Sequence, residues 1–199
     1  MIHLVEDIFD KSQIESFHQI IDGFPIPMID GEYVSSHKNN GTGVCEELGR
    51  LQISDIQRDV PEATKKQLNE MVKSFTDAPI SLKHIMYVEY NCKYGEPNLP
   101  AHFDRDDGDL IINYQLDSNT SWEIGVGLKT YDLKDNSAVA FNGNTNIHWR
   151  THKYFKDGEY LKMIFFRFHN PINPSDYSYN PENQNDESFQ EVIKVRGRF

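Results

Sequence analysis

His102-Phe103-Asp104 and, much further along, His148 are the residues of this chain whose types and spacing could do chemistry. Two imidazoles and one carboxylate make a facial ligand set. It grips a divalent metal from one side, leaves the other positions open, and suits non-haem Fe(II). On a strand or its edge, residues two apart point the same way, so His102 and Asp104 can face one ion while Phe103 points away. The ion requires neutral imidazoles and an ionised carboxylate. A His-x-Asp pair alone is weak in a chain with 8 histidines; the order of the features around it gives it weight. Tyr94-Gly95 and a proline precede it, and Phe141 and the turn Asn142-Gly143-Asn144 precede His148. A basic residue, Lys162, then opens the apolar run Met163-Ile164-Phe165-Phe166. His152 competes with His148 as the second imidazole, but the order aromatic, glycine turn, histidine favours His148. The other histidines lack such a context.

The elements that must position these residues fall into two textures. Residues 10–22 are expected to form a helix, with Ser12 and Glu15 as a capping box, Ile14, Phe17 and Ile21 on one face, and Gly23 as the stop. Residues 24–49 are rich in Pro, Gly, Asn and Ser and are expected to be loop with short strands. Pro61 opens a second helix to about Thr76, with Leu68, Met71, Val72 and Phe75 as its buried stripe. From about residue 81 the chain turns to strands, at 85–90, 109–116, 122–128, 137–141 and 160–168, with Gly, Asp, Asn and Pro turns between them, Asp106-Asp107-Gly108 among them. Short strands without intervening helices point to a sandwich or barrel, and the two-sheet jelly roll is one of the standard solutions. Both helices are expected on its outside. After Pro171 the chain is rich in Asn, Pro, Ser and Tyr, so 172–199 is expected to be a tail or wrapping segment.

The totals set bounds. A length of 199 residues fits one domain. No run reaches the ~18 apolar residues of a membrane span, and the first residues lack the pattern of a secretory signal. Two cysteines, Cys45 and Cys92, make no disulfide framework. The expectation is a cytoplasmic protein with reduced thiols and no membrane partner. A net charge of −11 disfavours nucleic acid, since phosphate contacts carry most non-specific affinity; Lys194 to Arg198 is a basic strip at one end only.

The stretch from Tyr87 to Pro171 resembles the core of the Fe(II)- and 2-oxoglutarate-dependent dioxygenases, in the order His102-Phe103-Asp104, His148, Lys162. Tyr87-Val88-Glu89-Tyr90 and Tyr94-Gly95 are similar to the strand and turn that precede the ligands in the prolyl 4-hydroxylase-like branch. The run from Lys162 to Phe168 also resembles the aspartyl/asparaginyl hydroxylases, which use a different first ligand motif. The resemblance implies a mainly β fold with N-terminal helices, a double-stranded β-helix of the jelly-roll or cupin-like kind. It implies one dioxygenase domain over 1–171, with a helical part at 1–80 and the core at 81–171. It implies His102, Asp104 and His148 as ligands of Fe(II), and 2-oxoglutarate and O2 as co-substrates. The reaction would be oxidative decarboxylation to succinate and CO2, coupled to hydroxylation of a protein side chain or a small molecule.

By position Lys162 is expected to pair with the far carboxylate of 2-oxoglutarate. The stretch between His148 and Lys162 is longer than in many relatives, which leaves Arg150 and Arg167 as rivals. Arg167 has the opposite strand parity to Lys162, so only one of those two can enter the cavity. Tyr114 and Gln115 are candidates for polar contacts to the co-substrate, with Asn113 on Gln115's face. Trp149-Arg150 follows the distal ligand directly and could orient it or line the mouth. The alternatives are a nucleic-acid demethylase of the same chemistry, a cupin-type metalloenzyme without 2-oxoglutarate, and a jelly-roll binding or structural module whose histidines are incidental.

Overall fold

The computed structural model describes residues 2–38, 41–104 and 109–170. The turn expected at Asp106-Asp107-Gly108, the segment 172–199 and its basic strip lie outside these residues. The elements run in chain order as β1 (Ile2–Glu6), α1 (Lys11–Asp22), β2 (Met28–Ile29), β3 (Glu32–Tyr33), β4 (Gly43–Cys45) and β5 (Arg50–Ile53). Then come α2 (Glu62–Lys73), β6 (Ser81–Asn91), β7 (Leu99–His102), β8 (Leu110–Ser118), β9 (Ile124–Val126) and β10 (Lys129–Tyr131). The last are β11 (Ser137–Phe141), β12 (His148–Arg150) and β13 (Tyr160–His169). The large sheet has the order β1-β11-β8-β13-β6-β5-β4, and a smaller sheet, β10-β9-β12-β7, faces it. This is the expected jelly roll, with β2 and β3 forming a separate hairpin.

Strand alternation divides the apolar residues between two cores. Ile85 and Tyr87 of β6, Ile112 and Tyr114 of β8, and Ile164 and Phe166 of β13 pack outward against Phe17, Leu68 and Val72 of the two helices. Met86, Val88, Tyr90, Met163 and Phe165 point the other way and meet Ile124, Val126 and Trp122 between the sheets. Each such side chain contributes about 1.5–3 kcal/mol on burial. The helices are therefore cladding, and the space between the sheets is the inside of the roll.

The cap of helix α1 lies two residues earlier than expected. Asp10, not Ser12, is the cap: its Oδ1 accepts from Gln13 N–H at 2.9 Å, and Gln13 Oε1 accepts from Asp10 N–H at 3.0 Å. Ser12 donates its hydroxyl hydrogen to the same carboxylate at 2.7 Å. A reciprocal cap of this kind is worth about 1 kcal/mol. Among the described residues no helix is long and apolar enough to cross a membrane. Cys45 is buried, Cys92 is exposed, and both are free thiols.

Candidate metal centre

Strand β7 ends in His102, β12 begins with His148, and the antiparallel register sets these two residues opposite one another. Their rings lie 4.1 Å apart, centroid to centroid. Asp104 leaves β7 on the same side, and its N–H donates to the Gly143 carbonyl at 3.0 Å. The donor atoms of His102, Asp104 and His148 all lie within 4.8 Å of one another. His102 Nε2 is 3.9 Å from Asp104 Oδ1, and His148 Nε2 is 3.4 Å from Oδ2. Each ring turns its other nitrogen to a backbone carbonyl. His102 Nδ1 lies 2.7 Å from the Pro100 oxygen, and His148 Nδ1 lies 3.2 Å from the Asn146 oxygen. Those contacts favour the tautomers that carry hydrogen on Nδ1 and leave the Nε2 lone pairs facing the carboxylate.

Burial, with His102 adding repulsion, pushes the His148 imidazole down to about 4 against the pull of Asp104. The ring is therefore neutral at ordinary pH, the state in which it can ligate a cation. Gly143 supplies room for the carboxylate. A Cβ at that position would sit 2.6 Å from Asp104 Oδ2 and 3.2 Å from Asp104 Cβ. The glycine turn that marked His148 in the sequence thus does a second task, a close backbone approach to Asp104. The set of two imidazoles and one carboxylate, on one side of a common point, fits a divalent ion with open positions.

A cavity of about 240 Å³ opens on these three side chains. Its apolar walls are Leu48, Leu99, Pro100, Ile111 and Phe165, and its remaining polar lining is Arg50, Asn113 and Arg167. Arg167 Nη2 lies 4.0 Å from Asp104 Oδ1.

Lys162 is not at this cavity. It shares the face of Ile164 and Phe166, reaches Asp117 Oδ2 at 3.8 Å, and lines a separate cavity with His18, Asp22, Phe24 and Glu89 under helix α1. The parity expected from the sequence holds, since Arg167 has the opposite face, and the register shift between Lys162 and Met163 lies just before the inward residues. Tyr114 belongs to the helix-side core, 5.0 Å from Phe9 ring to ring, with its hydroxyl on Asn136 Oδ1. Gln115 is on the inner face but is held by Ser118 Oγ at 2.9 Å and Asp135 Oδ1 at 3.1 Å. Its neighbour on that face, Asn113, is the residue of β8 that reaches the cavity together with Ile111. His152 pairs with Glu96 and stands outside the triad.

Arg150 lies two residues beyond His148 on the same face of β12 and is 2% exposed. Its guanidinium donates to the Trp122 carbonyl, lies over the Trp122 ring at 5.0 Å, and has Nη2 2.9 Å from Met163 Sδ. Burial pulls it down to about 10. No carboxylate pairs with it among the described residues. Arg50 carried no signal in the sequence, because its strand β5 lies between the expected loop 24–49 and the helix expected from Pro61, where no element was expected.

No family model and no curated protein matches the sequence. Solved structures do match in fold. HygX from Streptomyces hygroscopicus, with nickel and 2-oxoglutarate bound, superposes with a TM-score of 0.59 at 8% identity, over 86% of this chain and 83% of that one. An oxidoreductase of the 2OG-Fe(II) oxygenase family from Burkholderia pseudomallei gives 0.57 at 10% identity, over 85% of each chain. A prolyl hydroxylase from Trichoplax adhaerens, in complex with a hypoxia-inducible-factor peptide, gives 0.54 at 13% identity, over 86% of this chain and 84% of that one. With its two facing sheets, its outer helices and the ligand-type residues at the ends of β7 and β12, the chain shares the fold of the Fe(II)- and 2-oxoglutarate-dependent oxygenases.

Proposed function

We propose that this chain is an Fe(II)- and 2-oxoglutarate-dependent oxygenase that hydroxylates a small molecule or a protein side chain. The observation that carries this is the convergence of the donor atoms of His102, Asp104 and His148 within 4.8 Å. Iron held there would supply the activation of O2 that turns 2-oxoglutarate into succinate and CO2 while the prime substrate is oxidised. The chain supplies orientation and electrostatics. Asn146 and Pro100 hold the imidazoles with Nε2 presented, and Gly143 leaves the carboxylate its place. The apolar walls exclude water from the reacting groups, which strengthens every electrostatic contact inside.

Arg150 is the residue best suited to the far carboxylate of 2-oxoglutarate. A buried guanidinium whose contacts are a carbonyl, a thioether and the face of an indole has lost its hydration without gaining a carboxylate in direct contact among the described residues. It stands two strand residues from His148, about 7 Å along β12. That separation suits a five-carbon dicarboxylate held at both ends. Lys162 has no such part, because its face of β13 looks toward the helices.

The test uses the purified full chain. His102→Ala and Asp104→Ala should each lose Mn(II) and Fe(II) binding and succinate release, with the far-ultraviolet circular dichroism unchanged. Wild-type metal stoichiometry in either variant overturns the ligand assignment. Arg150→Gln should weaken 2-oxoglutarate by at least about tenfold, a loss of ~1.4 kcal/mol. The same change should raise the melting temperature of the metal-free protein, since it removes a buried unpaired charge. Lys162→Ala should leave 2-oxoglutarate affinity unchanged; if it alone lowers the affinity, the anchor assignment is wrong.

A further inference from the structure

The cavity on the metal ligands holds more positive charge than the co-substrate reading uses. Arg150 is not part of its lining, whereas Arg50 and Arg167 are. Asp104 is the one carboxylate among the described lining residues, and it is committed to the ion. Arg167 Nε is buried and has no hydrogen-bond partner among the described residues. Among the described residues Arg50 is met by neutral groups, with Nε donating to Gln52 Oε1 and Nη1 donating to the Tyr90 hydroxyl, each at 3.1 Å. Two half-buried guanidinium groups over a site that also binds a dication are stable neighbours only when an anion joins them.

We infer that the prime substrate is a small molecule carrying a carboxylate or phosphate group, held by Arg50 with Arg167 beside it. Its apolar part would rest on Leu99, Ile111 and Phe165. This deepens the oxygenase assignment and rests on it for the metal. The small size follows from two observations. The charged groups line a cavity of about 240 Å³, and the chain as a whole carries a net charge of −11, which opposes the approach of an acidic macromolecule.

The experiment loads the full chain with Mn(II), saturates it with N-oxalylglycine, an inert analogue of 2-oxoglutarate, and adds inorganic phosphate or [13C]acetate as probes. Paramagnetic relaxation of the 31P or 13C signal by Mn(II) reports an anion beside the ion. Wild-type protein should enhance the relaxation of at least one probe. Arg50→Gln should bind that probe about tenfold more weakly, and Arg50→Lys should recover part of the loss. Which probe responds tells a phosphate from a carboxylate. No enhancement with either probe, or equal enhancement in Arg50→Gln, overturns the inference. If Arg50→Gln instead weakens N-oxalylglycine, Arg50 is the co-substrate anchor, and the inference falls while the oxygenase assignment stands. Failure of the wild type to bind Mn(II) overturns both.

Discussion

At the scale of single residues, His148 combines two demands that pull against each other. It must be buried to sit between Phe141, His102 and Asp104, and it must be neutral to serve as the proposed ligand. Burial meets both, since it holds the folded ring near pKa 4 against an ordinary 6.5. The consequence is a pH dependence in the metal-free protein. Above pH 6.5 neither the folded nor the unfolded chain protonates this ring, and it has no effect on the slope of stability. As the pH falls through 6.5 the unfolded chain gains a proton that the folded chain refuses, so stability declines until about pH 4, where the folded ring titrates as well. The full loss is roughly 3 kcal/mol. Urea denaturation of the metal-free protein between pH 7.5 and 4.5 measures it, with His148→Gln as the control that should remove this part of the slope. Equal slopes in the two proteins would mean that the imidazole is not held neutral.

At the scale of elements, the short strands of the smaller sheet carry His102 and His148, and they were the hardest to see. Strands β9, β10 and β12 have three residues each, too few for an alternating pattern to stand out, and β7 contains Pro100. The long strands β6, β8 and β13 were legible because their two faces are buried in different cores and β-branched and aromatic residues fill both. The triad was legible for another reason: the aromatic and glycine turns that precede His102 and His148 mark them out in the sequence. The inward basic residue of β13 was not. Parity told that Lys162 and Arg167 oppose one another but not which looks inward, because both faces of β13 are apolar. Arg50 was hidden because its partner Tyr90 is distant in sequence. One close contact ties the small sheet together. Gly125 pairs with Trp149, and a Cβ on it would lie 2.2 Å from the indole Cε2. Gly125→Ala should therefore cost about 1–3 kcal/mol of stability through overpacking. Because Trp149 sits between His148 and Arg150, it should also weaken Mn(II) and 2-oxoglutarate binding, as calorimetric titration of the folded variant would report. A variant that loses stability but binds both as wild type does would show that β12 is held in place by its neighbours alone.

At the scale of the whole molecule, the large sheet is a partition. One face is sealed by α1 and α2, and the other forms the wall of the cavity. Phe17 of α1 packs on Phe9, Tyr114 and Phe166 at ring separations of 5.1, 6.3 and 6.1 Å, all on the helix side. Phe165, next in the chain to Phe166, points through to the metal cavity. Two truncations of similar size on either side of one strand should therefore separate stability from binding. Phe17→Ala should lower the unfolding free energy by about 3–5 kcal/mol. Its Mn(II) and 2-oxoglutarate affinities, measured where the variant is still folded, should stay within about twofold of wild type, as expected for sites without shared partners. Phe165→Ala should lower both stability and co-substrate affinity, because it removes a wall of the cavity. Denaturant titrations give the first quantity, and calorimetry with Mn(II)-loaded protein gives the second. If Phe17→Ala weakens binding as much as Phe165→Ala does, the helices reach through the sheet and shape the site, and the division of the molecule into cladding and working interior is wrong.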